Sequence, residues 1–142
     1  MARKLFTAGC VVLMALGLLH LLAHSMMQAN EGQNETEKQM LSLMRGHSQD
    51  MGLGFVRSMK DIVNGFSLTF SILPFAMGLV GFVVRRHATT APGLLRQTAV
   101  AYAGTYGIMT AVALRYWFPA PLFLLAAAFL CFMAAAAIAP RS

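Results

Sequence analysis

Two histidines, His20 and His24, stand inside the first long apolar stretch of the chain, and their type and spacing suggest chemistry before anything else does. Four residues apart, they lie on one face of an α-helix, one turn above the other. An ionisable group inside an apolar membrane segment is a functional hypothesis by default. Three chemistries compete. A histidine pair at this spacing supplies two ligands to zinc or copper, and His47, Met26, Met27 or a loop acid would have to complete the set. Haem asks for more. Two histidines on one helix cannot take opposite faces of one haem, so the partner ligand would come from a methionine or a second copy of the chain. The third reading is packing: neutral imidazoles hydrogen-bond across helices, here to Ser67, Ser71 or Tyr106, with His24 reaching interfacial water. It needs no unseen ligand and is the expectation, with no metal or cofactor implied.

Other chemistry is sparse. No Asp or Glu lies in any apolar stretch. Proton coupling through a buried carboxylate, as in small multidrug exporters, therefore has no residue to use, and only histidine could relay a proton. Arg115 could receive an anionic head group near the end of the third stretch, although snorkelling to the interface accounts for it. There is no phosphate loop, nucleophile elbow, HExxH or paired carboxylate at useful spacing, and an enzyme is not expected. Cys10 and Cys131 both sit in apolar stretches and read as small buried hydrophobes, with no disulfide framework. Asn34-Glu35-Thr36 forms a glycosylation sequon of a kind that arises often by chance.

These residues need elements to position them. Of 142 residues, 58% are hydrophobic and only 11% charged, against roughly 25% charged in soluble domains. That composition predicts an all-α, polytopic membrane protein of one domain, 1–142. The net charge of +6 does not point to nucleic acid, because the basic residues sit at the ends of apolar stretches and form no stripe with interleaved aromatics.

Four spans are expected, at about 5–27, 66–84, 97–114 and 118–139. The first follows Arg3-Lys4. It could serve as a secretory signal, but it exceeds the usual 7–15 apolar residues, and a retained span is the expectation. The second carries Pro74, which in lipid kinks a helix rather than ending it. Ser67, Ser71, Pro74, Gly78 and Gly81 share one of its faces. The third carries Ala99, Ala103, Gly107 and Ala111, a small-residue ladder that lets helices approach closely, with Tyr102, Tyr106 and Met109 on a neighbouring face. The fourth is thin and alanine-rich.

Residues 28–65 form an outer loop that holds all five acids. Within it Met40, Met44, His47, Met51, Phe55, Met59, Ile62 and Phe66 recur at three or four residues, which predicts amphipathic helices over 38–48 and 53–64. They would lie on the membrane surface or cap the helices. Gly46, Gly52 and Gly54 count against them. Arg3, Lys4, Arg85, Arg86, Arg96 and Arg141 fall on the side of the termini and the middle loop. The positive-inside bias places that side in the cytoplasm and the long loop outside, which for a bacterial chain means the inner membrane with the loop in the periplasm.

Gly17-Leu18-Leu19-His20-Leu21-Leu22 and Arg57-Ser58-Met59-Lys60-Asp61-Ile62-Val63-Asn64-Gly65-Phe66-Ser67-Leu68 carry a likeness. The chain resembles a group of small bacterial four-helix integral membrane proteins of unknown function. The resemblance implies the fold and the membrane location, and it implies no activity. The expected role is non-enzymatic and exercised through helix packing or subunit contacts, with lipid, a second copy or another membrane protein as partner. The alternatives are a small transporter or ligand-binding protein with an outer-leaflet pocket near His20, and a haem- or quinone-binding redox subunit.

Overall fold

The computed structural model describes residues 1–29, 32–89, 91–117 and 119–140. The expectations attached to Glu31, Phe118 and Arg141 lie outside them. Seven elements follow in order: α1 (Ala2–Gln28), α2 (Glu35–Gly46), β1 (Ser48–Asp50), β2 (Val56–Ser58), α3 (Met59–His87), α4 (Pro92–Tyr116) and α5 (Pro119–Ile138). Leucine and alanine dominate α1 and α5 and alanine leads in α4, and these residues lose little freedom on helix formation. The helix α3 continues through Pro74.

Among the described residues three helices, α1, α3 and α5, are long and apolar enough to cross a membrane. The helix α4 is as long, at 25 residues, but Gln97, Thr98, Thr105, Thr110 and three tyrosines dilute its apolar character. The expected third span is thus a helix, and it falls short of the other three in apolarity.

The chain divides into two compact units, one of Met1–Leu18 and Leu73–Ser142, the other of Leu19–Ile72. In the first, four helical segments meet around an aromatic cluster. Phe6 of α1, Tyr102 and Tyr106 of α4 and Phe132 of α5 are all buried. Phe132 stands edge-on to Phe6 and Tyr102, with ring centroids 5.4 and 5.0 Å away, the arrangement ring quadrupoles favour. The Tyr102 hydroxyl donates to the Met77 carbonyl of α3 at 2.9 Å. Close contact depends on absent side chains. A Cβ on Gly9 would lie 2.8 Å from the Phe132 ring, and one on Gly78 would lie 2.7 Å from the Cys10 carbonyl. Gly81 faces the Cys10 sulfur. Both cysteines are free. At the C-terminal end of α3, Arg3 donates to the Arg85 carbonyl at 3.0 Å and Thr89 to the Arg86 carbonyl at 3.1 Å, so groups that the helix end leaves orphaned find donors.

In the second unit, residues 47–58 depart from expectation. The predicted helix over 53–64 is absent. Its place is taken by a β-hairpin that pairs Ser48 with Ser58, Gln49 with Arg57 and Asp50 with Val56, followed by the first turns of α3. The cause is the turn. Gly52, Leu53 and Gly54 all have positive φ, at 85°, 55° and 81°, a region glycine enters freely and other residues rarely. The Asp50 carboxylate accepts from the Gly52 N–H at 2.8 Å. The three-four spacing from Met40 to Phe66 is therefore no single stripe: Met40 and Met44 lie on α2, Met51 and Phe55 on the turn, and Met59, Ile62 and Phe66 on α3. The first predicted helix is shifted rather than lost. It starts at Glu35 because Asn34 caps it, accepting from the Glu37 N–H at 2.9 Å while Glu37 reaches back to the Gln33 N–H at 2.6 Å. Ser58 caps α3 in the same manner, with Asp61 as its partner (Asp61 N–H to Ser58 Oγ, 3.1 Å; Ser58 N–H to Asp61 Oδ2, 3.1 Å).

Candidate functional site

Three polar residues of α1 form one row in the second unit. His20, His24 and Gln28 follow at four-residue spacing, so they stack one above another along the helix. The opposing segment of α3 supplies Ser67 and Asn64. His20 is half-buried, and its Nε2 lies 3.2 Å from Ser67 Oγ. Either the Ser67 hydroxyl donates to a neutral Nε2, or Nε2–H donates to the hydroxyl oxygen, according to tautomer. The edge of the His20 ring meets Phe70 at a centroid distance of 4.9 Å and an angle of 73°. Ser71, which is buried, donates its hydroxyl to the Ser67 carbonyl at 3.0 Å. Two turns up from His20, Gln28 Nε2 donates to Asn64 Oδ1.

The row is thus a pair of hydrogen-bonded crossings, His20 to Ser67 and Gln28 to Asn64, with His24 half-buried between them. Chemically it can hold an imidazole in one orientation and let it exchange a proton with a hydroxyl. The second crossing escaped the sequence reading. Asn64 pairs with Gln28 only because the two helices lie side by side. A signal existed in the shared four-residue spacing of His20, His24 and Gln28.

The remaining candidates lie elsewhere. Tyr106 belongs to the aromatic cluster of the first unit, 6.1 Å from Tyr102 and 6.0 Å from Phe132 by ring centroids. Arg115 is exposed in the last turn of α4, its guanidinium carbon 5.7 Å from the centre of the Tyr116 ring. Among the small residues Ala99 is fully buried, Ala103 and Gly107 are half-buried, and Ala111 is exposed. Gly107 faces the Phe129 ring of α5, while Gly78 and Gly81 are buried against α1.

Among the described residues no three His, Cys, Asp or Glu side chains gather where they could hold a metal ion. His47 is exposed in the loop beside Gln49, at 3.3 Å, and Met26 and Met27 are exposed. No family model, no curated protein and no solved structure matches the chain.

Proposed function

We propose that the chain is a four-span protein of the bacterial inner membrane, with both termini in the cytoplasm, and that it acts without catalysis, through helix packing and subunit contacts. The observation that carries this reading is the division of α4. Between Gln97 and Arg115, which are both exposed, its exposed large side chains are apolar: Val100, Ile108, Val112 and Leu114. Three of the hydroxyls that dilute it are bonded to backbone: Thr98 donates to the Leu94 carbonyl at 2.9 Å, Thr110 to the Tyr106 carbonyl at 2.6 Å, and Tyr102 to Met77. A hydroxyl satisfied by a carbonyl is one that a hydrocarbon environment accepts. The exposed large apolar side chains of the other long helices, such as Leu22, Ile72 and Phe123, ask for lipid or a second subunit over them.

Cysteine labelling tests the topology. In a chain lacking Cys10 and Cys131, a membrane-impermeant maleimide on intact cells should modify Asp50→Cys and Trp117→Cys, and should reach Ala88→Cys only after lysis. Labelling of positions 88 and 117 from one side would remove α4 as a span.

The His20–Ser67 contact is of the kind that the packing reading expects. A Soret band in the purified protein, lost in His20→Ala, would replace that reading with a haem site.

A further inference from the structure

We propose that the start of α3 forms a site for a single zwitterionic phospholipid of the phosphoethanolamine class, drawn from the outer leaflet. The inference rests on the membrane reading above and names one partner for it. A shallow groove of about 380 Å³ runs along this helix, lined by Arg57, Asp61, Ile62, Gly65, Phe66 and Thr69. The chemistry of its lining is graded. Asp61, Gly65 and Thr69 follow at four-residue spacing, with Ile62 and Phe66 beside them, so the lining lies on one side of the helix. Both charges stand at one end. The apolar side chains follow, and Phe66, 74% exposed, marks the level at which the apolar stretch begins. Asp61 lies about 7 Å above Phe66 on ideal helix rise, which is the depth of a head-group layer roughly 5–7 Å thick.

The Arg57 and Lys60 charges act on the Asp61 carboxylate without either closing an ion pair with it. The Arg57 guanidinium lies 5.5 Å from the centre of the Phe55 ring, and its Nη1 donates to the Val56 carbonyl at 2.8 Å. These contacts occupy one face and one N–H of a five-donor fork. Asp61 takes both its bonds from Ser58 on Oδ2, so Oδ1 is the oxygen open to a cation. Among the described residues the one ion pair is Lys38 with Glu35, and Arg57 and Asp61 form none with each other. Opposite charges that share a groove without pairing suit a zwitterion: phosphate on Arg57, ammonium on Asp61. Below them Gly65 leaves the groove open, since a Cβ there would meet nothing within 4 Å. An acyl chain can then lie along Gly65 against Phe66 and Ile62. The hairpin tip adds Met51, Leu53 and Val56, all exposed and apolar, in the same unit.

Native mass spectrometry of the full chain in detergent, with phosphatidylethanolamine or phosphatidylglycerol of matched acyl chains added, tests the site. The wild type should retain phosphatidylethanolamine in preference to phosphatidylglycerol. Arg57→Ala should lower that retention about tenfold, the worth of one charge-assisted hydrogen bond. Asp61→Asn should abolish the preference, whereas Ser58→Ala, which disturbs the same helix cap but keeps the carboxylate, should preserve it. Gly65→Leu should block retention while the melting temperature holds, and Arg115→Ala should change neither. Wild-type retention in both Arg57→Ala and Gly65→Leu would overturn the site, and a preference for phosphatidylglycerol would overturn the head-group assignment. The assay counts bound lipid rather than spans, so its failure is distinct from failure of the topology.

Discussion

His20 and Ser67 meet at 3.2 Å on a half-buried seam, which makes their coupling measurable. Interhelical hydrogen bonds in membranes average about 0.6 kcal/mol and reach about 1.7 kcal/mol. A double-mutant cycle of His20→Ala and Ser67→Ala, read by unfolding in mixed micelles, should give a coupling in that range. A value of zero would mean the contact contributes no stability. Glycines divide more sharply. Gly81 lies against the Cys10 sulfur and Gly65 against nothing within 4 Å. Gly81→Leu should therefore cost at least about 1–3 kcal/mol through overpacking, while Gly65→Leu should leave the same unfolding transition nearly unmoved. The face shared by Ser71, Pro74, Gly78 and Gly81 was legible from their spacing, and all four are buried. That Gly9 must be small was not legible, because its reason is Phe132, far along the chain.

The hairpin shows how an element can be misread from periodicity. Methionine and phenylalanine recur through residues 47–58 at helical spacing, yet Gly52 and Gly54 take positive φ and turn the chain back. Leu53 between them also has positive φ and is 99% exposed. An L-residue there costs roughly 1–2 kcal/mol, whereas asparagine tolerates the region. Leu53→Asn should therefore raise hydrogen-exchange protection of the Met51 and Phe55 amides, which bond across the turn to Phe55 and Gly52. Unchanged or weaker protection would show that the leucine side chain, despite its exposure, stabilises the turn through contacts with its surroundings. For α4 the opposite held. Its existence followed from its length and alanine content, and its marginal apolarity was equally present in the sequence, in Gln97 and its threonines.

At the scale of the molecule, ring contacts join residues far apart in the chain. Phe132 touches Phe6, Tyr102 and Tyr106, and its ring covers Gly9. Phe132→Ala should be the costliest single truncation in the first unit, about 3–5 kcal/mol. Thermal unfolding in detergent would check it, and a cost no greater than that of Leu130→Ala, at an exposed position, would show the cluster contributes little. No local pattern announced this cluster, since its members come from three helices. The sequence by itself determined the apolar stretches, the confinement of all five acids to one segment, the basic residues at the ends of the stretches, and which residues share a face. These follow from local composition and from the helix repeat. Only the tertiary structure decided that Gln28 meets Asn64, that Phe132 fills the space Gly9 leaves, and that Arg57 and Asp61 line one groove. The helix repeat says which way a side chain points and is silent on what stands opposite.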